Sequence, residues 1–104
     1  MYLRRNTLGA LANEIADHDE DTRKVIAAHF DAWLQLLTDA IEELKKRGVL
    51  IPSAEAHALA TGLLAALQGG YLLAKTARDV RPMRVVLDMA IAQVRAYSTE
   101  SNSA

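Results

Sequence analysis

The sequence predicts an all-α fold of four helices, in which the last two helices join those of a second copy in an intermolecular four-helix bundle. The chain has 104 residues, of which 51% are hydrophobic, and only two prolines and five glycines interrupt it. Alanine and leucine dominate while aromatic residues are few, and this composition favours helices over strands. A chain of this length forms one domain with a small core, so its apolar surplus indicates a surface that a partner covers.

The first two predicted helices follow from apolar residues at helical spacing. The first runs from about Leu3 to Ala16. The second begins after Asp19, whose carboxylate suits an N-cap, and ends before Gly48, which suits a left-handed C-cap. It is about 40 Å long and needs other helices to pack along it. One face of it carries the apolar residues Ile26, Phe30, Trp33, Leu37, Ile41 and Leu44.

The third predicted helix spans about residues 54–77, with Ser53 as its cap, and is apolar on nearly every face. Such a helix is buried on every face. It carries a strip of small residues: Gly62, Ala66, Gly69 and Gly70. A glycine inside a helix costs about 1 kcal/mol relative to alanine, so we expect another helix to come close to this strip.

The fourth predicted helix follows Asp79 as its cap and has Pro82 in its first turn, where a missing N–H does no harm. An apolar seam with steps of four and three residues continues to Tyr97. The polar residues 98–104 are predicted to be a disordered tail, so the helical domain is residues 1–97.

The third and fourth helices carry more apolar surface than the first two can cover. We therefore predict a homodimer, in which the two helices pack against their copies about a two-fold axis. The alternative is a monomeric four-helix bundle in which these faces meet internally. The predicted interface residues are Leu59, Gly62, Leu63, Ala66, Leu67, Gly69, Gly70, Tyr71, Met83, Leu87, Ala90, Ile91 and Val94.

Several classes of function are excluded or disfavoured. A formal net charge of −1 does not suit broad nucleic-acid binding, and the absence of cysteine excludes thiol chemistry and cysteine metal sites. The three histidines have no ligand-like spacing, and the acidic run at residues 17–21 lacks the pattern of a calcium loop. We predict no enzyme activity, no metal and no cofactor.

The N-terminus does not resemble a secretory signal and the apolar stretch at residues 63–74 is too short to span a bilayer, so we expect a cytoplasmic protein without a membrane partner.

Three residues are candidates for binding a small molecule. His29 and Trp33 lie one turn apart, as a polar tip and an aromatic wall would in a pocket. The alternative, which the helical stripe favours, is that Trp33 belongs to the core and His29 to the surface. Asn13 either bonds across the dimer or contacts a ligand, and the sequence leaves this choice open. The basic residues around Arg78 and Arg81 are predicted to be a solvated helix end.

Two segments resemble TetR-type transcriptional regulators. LGALANEIADHD at residues 8–19 is similar to the stretch before the long helix of that family, and LAALQGGYLLAKTARD at residues 64–79 is similar to its first dimer helix. The second is the more specific, because the Gln-Gly pair, the small residues and the basic ending before Asp79 occur together. Pro82-Met83-Arg84 and the following seam resemble the last helix, so the resemblance covers about residues 6–97.

The resemblance implies a C-terminal domain that dimerises through its last two helices and binds a small apolar effector between earlier ones. The chain departs from the family in that no helix-turn-helix segment precedes these helices, and Ala10 stands where asparagine is expected. We therefore predict the effector-sensing and dimerisation domain of a TetR-type repressor, which would contact DNA only through a missing N-terminal domain. The alternative is a stand-alone helical protein that heterodimerises with a full-length regulator.

Overall fold

The computed structural model describes residues 20–103. The first predicted helix and the candidate ligand residue Asn13 lie outside that range. The described chain forms three α-helices: α1 at Glu20–Lys46, α2 at Ala56–Ala77 and α3 at Arg81–Arg95. These match the second, third and fourth predicted helices, and no strand is present between residues 20 and 103 beyond one isolated bridge between Leu50 and Ser98. The all-α class is confirmed for this part of the chain, while the first predicted helix, and with it the total of four helices, and the dimer bundle remain predictions.

The chain divides into two compact units, Met1–Ala32 and Trp33–Ala104, and α1 contributes to both. The described part of the first unit is the N-terminal half of α1. Its first turn holds Glu20 and Asp21, which suit the positive end of the helix dipole. The guanidinium of Arg23 lies 2.7 Å from Glu20, and this hydrogen bond and charge lower the pKa of the Glu20 carboxyl. The pair is fully at the surface, so it contributes little to stability.

The C-terminus of α1 ends as the sequence predicts, at a left-handed glycine. Gly48 has a φ of 77°, and its N–H donates to the carbonyl of Lys45 at 3.0 Å. The N–H of Val49 donates to the carbonyl of Leu44 at 2.9 Å. These two hydrogen bonds form a Schellman motif, which satisfies carbonyls that the helix itself leaves free.

The core lies in the second unit and is small. It joins the C-terminal half of α1, the connector to α2, the beginning of α2 and the end of α3. Its buried residues are Ile41, Leu50, Ala54, Ala56 and Ala60. Leu34, Leu37, Leu44, Ile51, Leu59, Leu63, Val94 and Tyr97 pack around them and stay partly exposed. Because no large described side chain is fully buried, little of the apolar surface of α2 and α3 is covered by this core.

Gly70 explains how closely α2 and α3 pack. A Cβ atom at this position would overlap Cγ2 of Val86 and would lie 2.9 Å from Sδ of Met83. Only a glycine therefore permits the approach of α3. The neighbour that requires this glycine is α3 of the same chain, and the role of Gly70 in the dimer interface stays a prediction.

The beginnings of α2 and α3 differ slightly from the predicted ones. α2 begins at Ala56, and Glu55 rather than Ser53 occupies its N-cap position without a side-chain capping hydrogen bond. Ala54 does not join the helix because it is buried in the core and its N–H donates to Ile51 at 3.0 Å. At α3, the carboxylate of Asp79 accepts the N–H of Arg81 at 2.9 Å, although Val80 holds the N-cap position.

The segment after α3 folds back onto the connector between α1 and α2, which differs from the predicted disordered tail. The N–H of Thr99 donates to Val49 at 2.8 Å, and its hydroxyl donates to the carbonyl of Gly48 at 2.5 Å. The N–H of Ile51 donates to Tyr97 at 2.9 Å. The polar residues of this segment are therefore used as hydrogen-bond partners for the ends of α1 and α3. We name residues 97–103 the C-terminal clasp.

By length and composition alone, α2 is apolar enough to cross a membrane. This differs from the expectation for residues 63–74, because the helix is longer at both ends and runs from Ala56 to Ala77. Core helices of soluble proteins meet the same criterion, and α2 buries Ala56, Ala60 and Gly70 within its own chain. The indication of a membrane span is weak.

Candidate functional site

An apolar groove of about 620 Å³ runs between α2 and α3. It lies entirely within the second unit, and we name it the α2–α3 groove. Its lining residues are Ser53, Glu55, Ala58, Leu59, Gly62, Leu63, Ala66, Val86, Met89, Ala90, Gln93, Val94 and Tyr97. Most of these side chains are aliphatic or small, so the groove suits an apolar occupant.

On α2 the groove is formed by a row of small residues. Ala58, Gly62 and Ala66 follow one another at steps of four residues, and helix geometry places Gly69 and Leu73 on the same face. No described atom would lie within 4 Å of a Cβ atom at Gly62 or at Gly69. In contrast to Gly70, these two glycines have no explanation in the packing of the described chain.

On α3 the groove is formed by Val86, Met89 and Gln93, again at steps of three and four residues. Met89 exposes 69% of its surface. The same side of α3 continues to Val85, which is 56% exposed. Leu73, on the α2 side, is also 56% exposed. Large apolar side chains on one face thus remain in water, where exposure is unfavourable by about 25 cal/mol per Å².

The two ends of the α2–α3 helix pair differ in charge. α2 and α3 are joined by a short turn and run antiparallel, so Glu55 and Tyr97 lie at one end of the pair, where the groove opens, and the turn lies at the other end, beyond the groove. The turn region carries four basic residues and one acid: Lys75, Arg78, Asp79, Arg81 and Arg84. Asp79 is engaged by Arg81 at 2.7 Å, and the hydrogen bond from the Arg81 side chain, followed by that from its N–H, lowers the pKa of the Asp79 carboxyl. The turn end is therefore positive, whereas Glu55 and Arg95 have opposite charges at the other end of the helix pair.

Comparison of the sequence with models of protein families identifies the family of this chain. The family model of the C-terminal domain of LmrA/YxaF-like transcriptional regulators, a TetR-type family, matches residues 2–89. The chain belongs to this family. Comparisons with curated proteins and with solved structures gave no match. The TetR resemblance inferred from the two sequence segments is thus confirmed, and the domain is that of a regulator, a class that is generally not enzymatic.

Six of the thirteen predicted interface residues of this LmrA/YxaF-like domain line the α2–α3 groove: Leu59, Gly62, Leu63, Ala66, Ala90 and Val94. Gly69, Tyr71 and Ile91 are exposed elsewhere on the helices, and Leu67, Met83 and Leu87 are half-buried. Nζ of Lys75 lies 5.6 Å from the centre of the Tyr71 ring. The interface role of all thirteen residues stays a prediction.

The predicted interface residues omit three residues of α3 that line the groove: Val86, Met89 and Gln93. Pro82, Val86, Met89 and Gln93 form a row with steps of four, three and four residues. The predicted seam, which begins at Met83, has the same spacing one residue later. The seam is the more apolar of the two rows and its residues are half-buried, yet Ala90 and Val94 of the seam also line the groove. The other row, which ends in an amide, supplies the exposed lining residues Met89 and Gln93.

The residues that the sequence predicts to bind a ligand are not part of the α2–α3 groove of this LmrA/YxaF-like domain. His29 is exposed, Trp33 is 51% exposed, and neither lines that groove. Asn13 lies outside the described residues. Their role in ligand binding stays a prediction. Within residues 20–103, no three histidine, aspartate or glutamate side chains are grouped as metal ligands would be.

Proposed function

We propose that this chain is the dimerisation and effector-sensing domain of a cytoplasmic TetR-type repressor, and that two copies join through α2 and α3 in a four-helix bundle. The observation that carries the proposal is the α2–α3 groove, an apolar surface on helices that have already formed the core of their own chain. An interface between identical chains often resembles a core cut in half. The small core and the open groove fit that description.

The magnitude of the exposed apolar surface indicates how much of the face is covered. Leu73, Val85 and Met89 each expose more than half of their surface. Full burial of such a side chain contributes about 1.5–3 kcal/mol, so covering the exposed half contributes about 1 kcal/mol. Six such side chains in a dimer contribute about 6 kcal/mol, which is less than the roughly 8 kcal/mol of a micromolar complex. A stable dimer must therefore also cover the groove lining.

The effector-sensing role is supported by family membership, since TetR-type C-terminal domains typically bind small-molecule effectors. In this role an apolar effector would favour one of two arrangements of the dimer, and a separate helix-turn-helix segment would contact DNA. Trp33 is the sole tryptophan of the chain, so its fluorescence reports on its surroundings without interference. The dye 1-anilinonaphthalene-8-sulfonate is a suitable apolar probe. Energy transfer from Trp33 to the dye should saturate, and His29→Ala should weaken it while the exposed control His57→Ala should not. This result would support a ligand site at His29 and Trp33. Energy transfer that rises with dye concentration without saturating would contradict the site.

Light scattering at micromolar concentration tests the dimer. The wild-type chain has a mass of 11.4 kDa, and we expect twice that value in solution. Met89→Glu places a charge in the groove face and should give the monomer mass. Thr61→Glu introduces the same charge at an exposed α2 position whose hydroxyl bonds only to its own helix at His57, so it should remain a dimer. Circular dichroism confirms that both variants are helical.

Two results would overturn the dimer. One is a wild-type mass of 11.4 kDa across the micromolar range. The other is a folded Met89→Glu variant that associates as strongly as Thr61→Glu, because a buried unpaired carboxylate in the interface is incompatible with unchanged affinity.

A further inference from the structure

We propose that the second copy crosses the α2–α3 groove in an antiparallel orientation, with the two-fold axis passing between Ala65 and Ala66 of α2. This inference rests on the proposed dimer and specifies how the partner is seated. Glu55 at the open end of the groove then lies towards the partner's basic α2–α3 turn. Gly62 of each protomer meets the partner's Gly69.

Charge selects the antiparallel orientation. Glu55 is an acid at the open end of the groove, whereas the α2–α3 turn, which lies beyond the other end of the groove, carries four basic residues against one acid. A parallel arrangement would place the basic ends of the two protomers side by side. An antiparallel one places Glu55 opposite the partner's Thr76, two residues from the partner's Arg78. Complementary charge of this kind fixes the orientation of an interface more than it adds affinity.

Volume selects the position of the axis. In a two-fold interface, residues at equal distance from the axis face one another. About the point between Ala65 and Ala66, Ala58 faces the partner's Leu73. Leu73 is the one large side chain in this row and is 56% exposed, while Ala58 lines the groove. The large side chain of each protomer therefore enters the space left by the small one, and this happens twice in the dimer.

The same axis accounts for the two glycines that the described chain does not explain. Gly62 and Gly69 have open space where a Cβ atom would be, although each costs about 1 kcal/mol in a helix. Facing one another at two symmetric points, they permit the two α2 helices to approach at about 8 Å, the short end of the usual range. The groove, the charges and the glycines thus agree on one seating of the partner.

Cysteine cross-linking tests this seating without background, because the chain contains no cysteine. Ala66→Cys lies next to the axis and should form a covalent dimer with itself under mild oxidation. Gly62→Cys alone should not, because antiparallel helices separate it from its own copy by about 10 Å along the axis, and a disulfide requires Cα atoms within about 7 Å. A mixture of Gly62→Cys and Gly69→Cys chains should cross-link.

A second pair and a control complete the test. Replacing Gly62 or Gly69 by cysteine adds a side chain where the two α2 helices are closest. A mixture of Ala58→Cys and Leu73→Cys chains tests the same register without adding a side chain at either glycine. Gln68→Cys, exposed on α2 and outside the groove, should stay uncross-linked. Efficient self-cross-linking of Gly62→Cys would overturn the antiparallel seating, and cross-linking of Gly62→Cys to Leu73→Cys in place of Gly69→Cys would overturn the axis position.

The mass of the unoxidised proteins separates failure of the seating from failure of the dimer. Chains with the mass of a dimer that give none of the expected cross-links refute the register alone. A wild-type chain with the mass of a monomer refutes the proposed function, and the seating with it.

Discussion

Replacing each of two glycines of α2 by alanine should have opposite effects on the protomer, because only one of them faces another part of its own chain. At Gly62 no described atom lies within 4 Å of the added Cβ, so the protomer should gain the helix propensity of alanine, about 0.5–1 kcal/mol. At Gly70 the Cβ overlaps Val86 and lies 2.9 Å from Sδ of Met83. Overpacking of this kind costs about 1–3 kcal/mol, which cancels or exceeds the gain in helix propensity.

The dimer should respond in the opposite order. If the partner's α2 lies against Gly62, the dimer receives two added methyl groups at its closest crossing, each costing about 1–3 kcal/mol. A total of at least about 2 kcal/mol raises the dissociation constant roughly thirtyfold or more. Gly70→Ala faces α3 of its own chain, so its main effect should be on unfolding rather than on the affinity of the folded protomers.

Urea unfolding at several protein concentrations, combined with light scattering, separates these two quantities, because the stability of a dimer depends on concentration and that of a protomer does not. We expect Gly62→Ala to weaken association while the dilute protomer becomes more stable. An unchanged dissociation constant, together with a gain of about 0.5–1 kcal/mol at every concentration, would refute the reasoning, because it would mean that no backbone approaches Gly62.

Three further predictions concern the helix ends and the C-terminal clasp. Arg78 has a left-handed φ of 53°, and this conformation costs a residue with a Cβ atom about 1 kcal/mol. Arg78→Gly should therefore raise the urea midpoint of unfolding, whereas Gly48→Ala, at a φ of 77°, should lower it. A lower midpoint for Arg78→Gly would contradict this account. The pKa of Asp79 lies below its ordinary value of 3.8, so its ionised form stabilises the folded chain above that pH and this contribution is lost as the pH falls through the lower folded value. Asp79→Asn should therefore be less stable than the wild-type at neutral pH, with a difference that shrinks in acid, and an NMR titration giving a carboxyl pKa at or above 3.8 would exclude the explanation. Thr99→Val removes the hydroxyl donor to Gly48, so it should lower the free energy of unfolding by about 0.5–1 kcal/mol and speed amide exchange at Ile51. The control Ser103→Ala loses only a local hydrogen bond to Glu100 and should change neither. Equal exchange rates in the two variants would speak against the clasp.

Much of the fold could be predicted from the sequence because local signals determine it. The spacing of apolar residues indicated three of the described helices, Gly48 marked the end of α1, and Pro82 lies in the first turn of α3. These features depend on the conformational preferences of single residues and on helical periodicity. They hold regardless of how the helices are arranged in space.

The features that were predicted incorrectly depend on tertiary contacts. Ser53 has the chemistry of a cap, but burial of Ala54 draws the chain away before the helix begins at Ala56. The polar clasp resembles a disordered tail until its hydrogen bonds to Gly48 and Val49 are known. Sequence patterns do not contain these long-range partners.

The candidate site was only partly predictable for a related reason. The small residues of α2 indicated a close helix crossing, but the sequence does not say whether the neighbour belongs to the same chain. The structure separates Gly70, which faces α3, from Gly62 and Gly69, which face open space. Likewise, periodicity gives two rows of residues on α3, and only the packing shows that the groove is bordered by Val86 and Met89 of one row as well as by Ala90 and Val94 of the other.

The most direct test of the central claim, that an identical chain covers the α2–α3 groove, is an isotope-filtered NMR experiment on a mixture of labelled and unlabelled protomers. Leu73 and Met89 expose more than half of their surface in the single chain. We predict intermolecular NOEs from the methyl groups of both residues to protons of the unlabelled copy. A filtered spectrum without such signals, recorded where scattering gives the mass of a single 11.4 kDa chain, would contradict the account.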